Sequence, residues 1–151
     1  MSEQREGLFW DAVAGKIPPP PHVVLLGSTF VHVEPGRARM EFQAREEFYN
    51  PMGTIQGGFL AAMLDDTMGP AAASTVGPQE HVTTIEMKVS YIRPAQAGKL
   101  IGDGRVVHKG RSIIFVEGSL STEDGSVIAT ATGTWRVVPA PQQSGPGSSS
   151  R

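Results

Sequence analysis

The residues best suited to chemistry lie in one stretch, Asn50-Pro-Met-Gly-Thr-Ile-Gln-Gly-Gly-Phe-Leu-Ala-Ala-Met-Leu-Asp65. Gln56-Gly57-Gly58 stands where a helical pattern begins. The first turn of a helix carries unpaired backbone N–H groups and a partial positive charge. With glycine at Gly57 and Gly58 no side chain blocks approach, so a carbonyl oxygen gaining negative charge could be held there, as in an oxyanion hole. The same glycines could equally let the helix pack closely on a sheet. Further along, Asp65 and Asp66 interrupt an otherwise apolar helix, where a carboxylate costs free energy unless it is hydrogen-bonded or paired. Asp66 is expected to reach solvent at the helix edge. Asp65 follows Gly57 by eight residues, roughly 12 Å along a helix axis, too far for both to touch one small reacting group. Either the two serve different purposes, or Gly57 of one subunit meets Asp65 of another across a two-fold axis.

Other chemistries find little support. The chain has no cysteine, which excludes disulfides, thiolate zinc sites and a cysteine nucleophile. None of His22, His32, His81 and His108 pairs with a second ligand at metal-binding spacing, so no metal site is expected. A Ser-His-Asp hydrolase would need a nucleophile elbow, which the sequence lacks. Asp65 is left as the best-placed group for proton transfer.

The elements that must position these groups read as α+β. In the chain of 151 residues, 39% are hydrophobic and 19% charged, which suits one soluble domain. A net charge of −2 gives no basic field for a nucleic acid. No apolar run is long enough to span a bilayer and no basic-then-apolar leader opens the chain, so no membrane partner and a cytoplasmic location are expected. Residues 1–22 read as a short amphipathic helix carrying Leu8, Phe9, Ala12 and Val13, then a stiff connector over Pro18 to Pro21 that excludes helix or paired strand. Residues 23–138 form the main domain. Residues 139–151, mostly Pro, Gln, Gly and Ser, have little to bury and are expected to be a disordered tail.

Within the domain, Ala38, Met40 and Phe42 alternate with charged residues as in a strand. Phe59, Leu60, Met63, Leu64, Thr67, Met68 and Ala71 recur at helical spacing over 57–73, with a kink or early end expected at Gly69-Pro70. A helix this apolar on most sides must be wrapped, here by a curved sheet. Period-two runs follow: Ile85, Met87, Val89 and Tyr91 share a face opposite Thr84, Glu86, Lys88 and Ser90, and three more strands span 100–108, 112–120 and 127–138. Their short connections predict a meander of antiparallel neighbours.

In this order the motifs resemble the hotdog-fold thioesterases of the phenylacetate-pathway, PaaI-like type. The resemblance covers about Phe30 to Val138. It rests on Asn50-Pro-Met-Gly-Thr, Gly57-Gly58 with Leu64-Asp65, Thr84-Ile-Glu-Met-Lys-Val-Ser-Tyr-Ile-Arg-Pro-Ala, Lys109-Gly-Arg111 and Ala131-Thr-Gly-Thr. It implies a hotdog fold, with a long central helix wrapped by a curved antiparallel sheet, and hydrolysis of an acyl-CoA. Gly57 would polarise the thioester carbonyl, and Asn50 would help position the thioester or a water. Asp65 of the facing subunit would activate water or attack the carbonyl itself, with Thr84 hydrogen-bonded near that carboxylate. Lys109, Gly110 and Arg111 would meet the CoA phosphates. The assembly implied is a homodimer or a dimer of dimers. CoA is part of the substrate, so no separate cofactor is implied.

One departure from the pattern is Gln56, where such thioesterases usually carry histidine. Glutamine donates and accepts hydrogen bonds but cannot shuttle a proton at neutral pH. Two function classes therefore stand at this stage: an acyl-CoA hydrolase, and a hotdog protein that binds an acyl-CoA without turnover. Asp65 favours the hydrolase, because a binder gains nothing from a carboxylate beside the thioester.

Overall fold

The computed structural model describes residues 5–141. Two short helices, α1 (Leu8–Val13) and α2 (Pro21–Leu26), precede strands β1 (Ser28–Glu34) and β2 (Arg37–Ala44). A 3-10 turn at Glu46–Phe48 leads to the long helix α3 (Gly57–Ala73), followed by β3 (Glu80–Tyr91), β4 (Gly98–Lys109), β5 (Ile113–Thr122) and β6 (Val127–Pro139). The six strands form one antiparallel sheet in the order β1-β2-β4-β5-β6-β3. All six pack against α3. This is the hotdog arrangement.

The apolar patterns place the core as expected. Ala38, Met40 and Phe42 face inward from β2, Ile114, Val116 and Leu120 from β5, and Trp135 from β6. On α3, Leu60, Met63, Leu64, Thr67, Met68, Ala71 and Ala72 are buried. Thr67 settles its hydroxyl locally by donating to the Met63 carbonyl at 2.8 Å. The sheet comes so close to the helix at β4 that a Cβ on Gly104 would lie 2.8 Å from the Thr67 carbonyl oxygen. No helix among the described residues is long and apolar enough to cross a membrane.

Four expectations need correction. First, the prolines do not exclude helix throughout 18–21, because Pro21 opens α2. At the first helical position its missing N–H costs nothing and its φ is already helical. Gly27, at φ 61°, then ends α2 in the left-handed conformation. Second, α3 does not stop at Gly69-Pro70 but continues to Ala73. Packing of Met68, Ala71 and Ala72 holds the last turn in place against the loss of one backbone bond.

Third, the meander holds only for β4-β5-β6, since β3 lies beside β6 at the sheet edge rather than beside β4. Residues 92–97 form the link. Six residues reach ~20 Å, enough for three strand spacings of ~4.8 Å each, so a short connection did not dictate neighbours. The link passes the start of α3, where Ile55 N–H donates to Ala95 O and Ala97 N–H donates to Tyr49 Oη, both at 2.9 Å.

Fourth, β3 contains a bulge. Thr84 pairs with Trp135 and Glu86 pairs with Thr134, so Ile85 is the extra residue. The alternation therefore changes phase. Thr84 faces the helix side with Val82, Met87 and Val89 pack against the core, and Ile85, expected to share their face, is 52% exposed. Of the expected tail, residues 142–151 lie outside the described chain.

Candidate active site

The start of α3 is built around Gln56. Its backbone is extended, at φ −63° and ψ 137°, and its side-chain Oε1 accepts from the Gly58 N–H at 2.7 Å. Gln56 is thus the N-cap, and its carbonyl oxygen also receives the Phe59 N–H at 3.0 Å. Among the described residues, the Gly57 N–H has no acceptor. It remains an unpaired donor of the first turn, on a half-buried residue.

Tyr91, at the end of β3, completes this corner. Its hydroxyl donates to the Gly57 carbonyl at 2.9 Å. A Cβ on Gly57 would sit 3.2–3.3 Å from the Tyr91 ring and hydroxyl, so glycine is what allows the tyrosine to lie there. Gly57, Leu60, Tyr91 and Arg93 line a cleft of about 280 Å³. The role of Tyr91 was not foreseen, although its sharing a face with Met87 and Val89 in the β3 pattern was a usable signal.

Asn50 organises the preceding loop. Its Oδ1 accepts from Met52 N–H at 2.9 Å and Thr54 N–H at 3.3 Å, and its Nδ2 donates to Thr54 Oγ1 at 3.0 Å. Asn50 N–H donates to the Thr54 carbonyl at 2.8 Å. In this geometry the amide is engaged in closing the turn that delivers the chain to Gln56.

Asp65 lies two turns further along α3, half-buried. Thr84 Oγ1 donates to Asp65 Oδ1 at 2.8 Å. The β3 bulge makes this possible by aiming Thr84 at the helix. Asp65 and Thr84 share a cleft of about 810 Å³ with Ser28, Phe30, Asp66 and Trp135.

Asp66 does not project freely into solvent, as had been expected. Its side chain is 11% exposed. Ser28 Oγ donates to Oδ2, and His22 Nε2 lies 3.1 Å from Oδ1. Burial raises its carboxyl above the ordinary value, while the Ser28 hydrogen bond and His22 pull in the other direction. Asp66 thereby ties α3 to both β1 and α2. The partners stand 38 and 44 residues away in sequence, a separation at which no local pattern points to them.

Lys109, Gly110 and Arg111 occupy the β4–β5 turn, closed by Gly110 N–H donating to Ile113 O at 2.8 Å. The two basic side chains are exposed. Among the described residues, no group of three or more metal-ligating side chains converges.

A single chain therefore carries two separate parts of a site. One is a helix-start donor at Gly57, framed by Gln56 and Tyr91. The other is an oriented carboxylate at Asp65. Both stand on the central helix of a hotdog scaffold. The sequence pattern of the thioesterase superfamily matches residues 52–129, and the chain belongs to that family. A protein of Saccharolobus solfataricus named as an esterase is 32% identical over 72% of this chain and 76% of its own length. Human acyl-coenzyme A thioesterase 13 is 28% identical over 67% of this chain and 73% of its own. Among solved structures, a phenylacetic acid degradation-related protein from Ralstonia eutropha JMP134 superposes with a TM-score of 0.81. It is 35% identical and is matched over 85% of this chain and 98% of that one.

Proposed function

We propose that the protein hydrolyses an acyl-CoA thioester at a site shared between two copies of the chain. The observation that carries this reading is the separation of Gly57 and Asp65 on one helix, eight residues or roughly 12 Å. Two helices facing across a two-fold axis bring the start of one to the middle of the other.

In this reading the thioester carbonyl lies against the Gly57 N–H. Charge develops on that oxygen as water attacks, and the helix-start donor and dipole stabilise it. Asp65 of the facing copy takes the proton from the attacking water. Thr84 occupies Oδ1, which leaves Oδ2 to receive that proton. The C–S bond then breaks, and the departing CoA thiolate recovers the proton from Asp65. The products are a free acid and CoA.

Gln56 orients the site without exchanging protons. With its Oε1 held by the Gly58 N–H, its Nε2 still carries two donor hydrogens. Asn50 acts by holding the loop that sets the helix start, and Lys109 and Arg111 meet the CoA phosphates. The similarity to human acyl-coenzyme A thioesterase 13 supports a CoA ester as substrate. The test is free-thiol release from a panel of acyl-CoAs. Turnover that disappears in Asp65→Asn is expected; binding without turnover in the wild type would make the protein a ligand carrier instead.

A further inference from the structure

The cleft of about 810 Å³ beside Asp65 has an unusual wall. Beside Asp65, Asp66, Thr84 and Trp135, the cleft is lined by Phe9, Val13 and Ile17 and by Pro18 to Pro20. Helix α1 has an apolar face yet buries none of its residues. Phe9 and Val13 are only half-buried, packed at the edge of the core. Phe9 meets Phe30 edge-on, with ring centroids 6.4 Å apart. Phe9, Ala12 and Val13 of α1 thus line the cleft as well as touching the core. The connector that carries it is fixed at its far end by α2, where His22 reaches Asp66.

We infer that this cleft receives the acyl group, and that α1 with the proline connector forms a wall that sets its size. The inference rests on the reading of Asp65 as the thioester-side carboxylate. The substrate class it names is a large apolar acyl group rather than a short-chain one, in a cleft within the ~300–1,000 Å³ range of small-molecule sites. Three features support that occupant. The cleft is continuous with Asp65, where the acyl carbon must lie. The side that α1 and the connector contribute is aliphatic and aromatic, suited to hydrocarbon. Its proline-rich wall is stiff, so its dimensions are set before binding.

The test compares two non-hydrolysable thioethers, S-butyl-CoA and S-octyl-CoA, by calorimetry on the full chain, together with kcat/KM for butanoyl-CoA and octanoyl-CoA. Each methylene withdrawn from water strengthens binding about fourfold, so four of them give a preference of up to about 250-fold for octyl over butyl. Ala12→Trp and Val13→Trp each fill the cleft, and the octyl-to-butyl ratio should fall at least tenfold. Phe9→Ala lengthens it and should move the preference toward decyl.

Length preference in the thioethers, lost in the tryptophan variants but without any hydrolysis, would keep the cleft and overturn the thioesterase reading. Hydrolysis with no length preference, or with a preference untouched in all three variants while their melting temperatures show them folded, would overturn the cleft and keep the thioesterase. Neither binding nor hydrolysis in the wild type would overturn both.

Discussion

Thr84 Oγ1 lies 2.8 Å from Asp65 Oδ1, and the contact exists because Ile85 is an extra residue in β3. Without the bulge, Thr84 would turn to the outer face of the sheet with Glu86. A hydrogen bond to a charged group contributes ~1.5–3 kcal/mol. Thr84→Val should therefore lower kcat by about ten- to a hundredfold with little change in KM, and Thr84→Ser should restore most of it. Steady-state kinetics on the two variants checks this. A Thr84→Val enzyme with unchanged kcat would remove Thr84 from the site.

The neighbouring carboxylates should separate in their effects. Asp65→Asn should cut kcat by about 10² or more, as loss of a general base does. Asp66→Asn should leave kcat within a few-fold. The structure adds that Asp66 is a brace, so Asp66→Ala should cost stability, about 0.5–1.5 kcal/mol for the lost bonds to Ser28 and His22. Kinetics and denaturant titration on the same variants distinguish the two roles. Equal catalytic losses would contradict them.

Asp66 also predicts a pH dependence of stability. Burial raises its folded-state carboxyl above the ordinary value, so the folded chain holds this proton more tightly than the unfolded one. The stability contributed by the group is then fully present below the unfolded-state value and is lost as pH rises through the folded-state value. The excess stability of the wild type over Asp66→Asn should accordingly shrink as pH climbs just above the ordinary carboxylate range. Chemical denaturation at stepped pH measures it, and a difference that grows with pH in that window would reverse the sign.

Gln56 should behave as a cap. Gln56→Ala loses the bond to Gly58, a cost of ~1 kcal/mol, which in a domain of this size lowers Tm by ~2–4 °C. It should also lose activity as the helix start frays. Gln56→His keeps a hydrogen-bonding ring and should retain substantial turnover. Calorimetry and thiol release on both variants test this. A rise of orders of magnitude with histidine would show that the native site is not tuned for hydrolysis.

Much of this was legible in the sequence because it is carried by period. Ala38, Met40 and Phe42 on β2, and Leu60, Met63 and Leu64 on α3, are buried where alternation and helical spacing put them. Gly57 opens a helix and Asp65 sits inside it for the same reason. The bulge was not legible, since Ile85, Met87, Val89 and Tyr91 alternate without a visible break and one extra residue changes phase silently. Nor was the position of β3, because a six-residue link reaches either neighbour. The fate of Asp66 depends on Ser28 and His22, brought to it by the path of the whole chain and by no local pattern. Tyr91 was grouped with Met87 and Val89, but its bond to Gly57 depends on where α3 begins relative to the end of β3.

The shared site is tested most directly by mixing inactive chains. Gly57→Val puts a side chain against the Tyr91 ring and blocks the helix-start donor, while Asp65→Ala removes the carboxylate. Each homodimer alone should be nearly inactive. Unfolded together in equal amounts and refolded, the chains pair at random and about half of the dimers are mixed, each holding one site with both lesions and one with neither. About a quarter of wild-type activity should return, with subunit exchange confirmed by mass. A mixture that has exchanged its subunits and stays as inactive as its parents would place Gly57 and Asp65 outside any common site between copies.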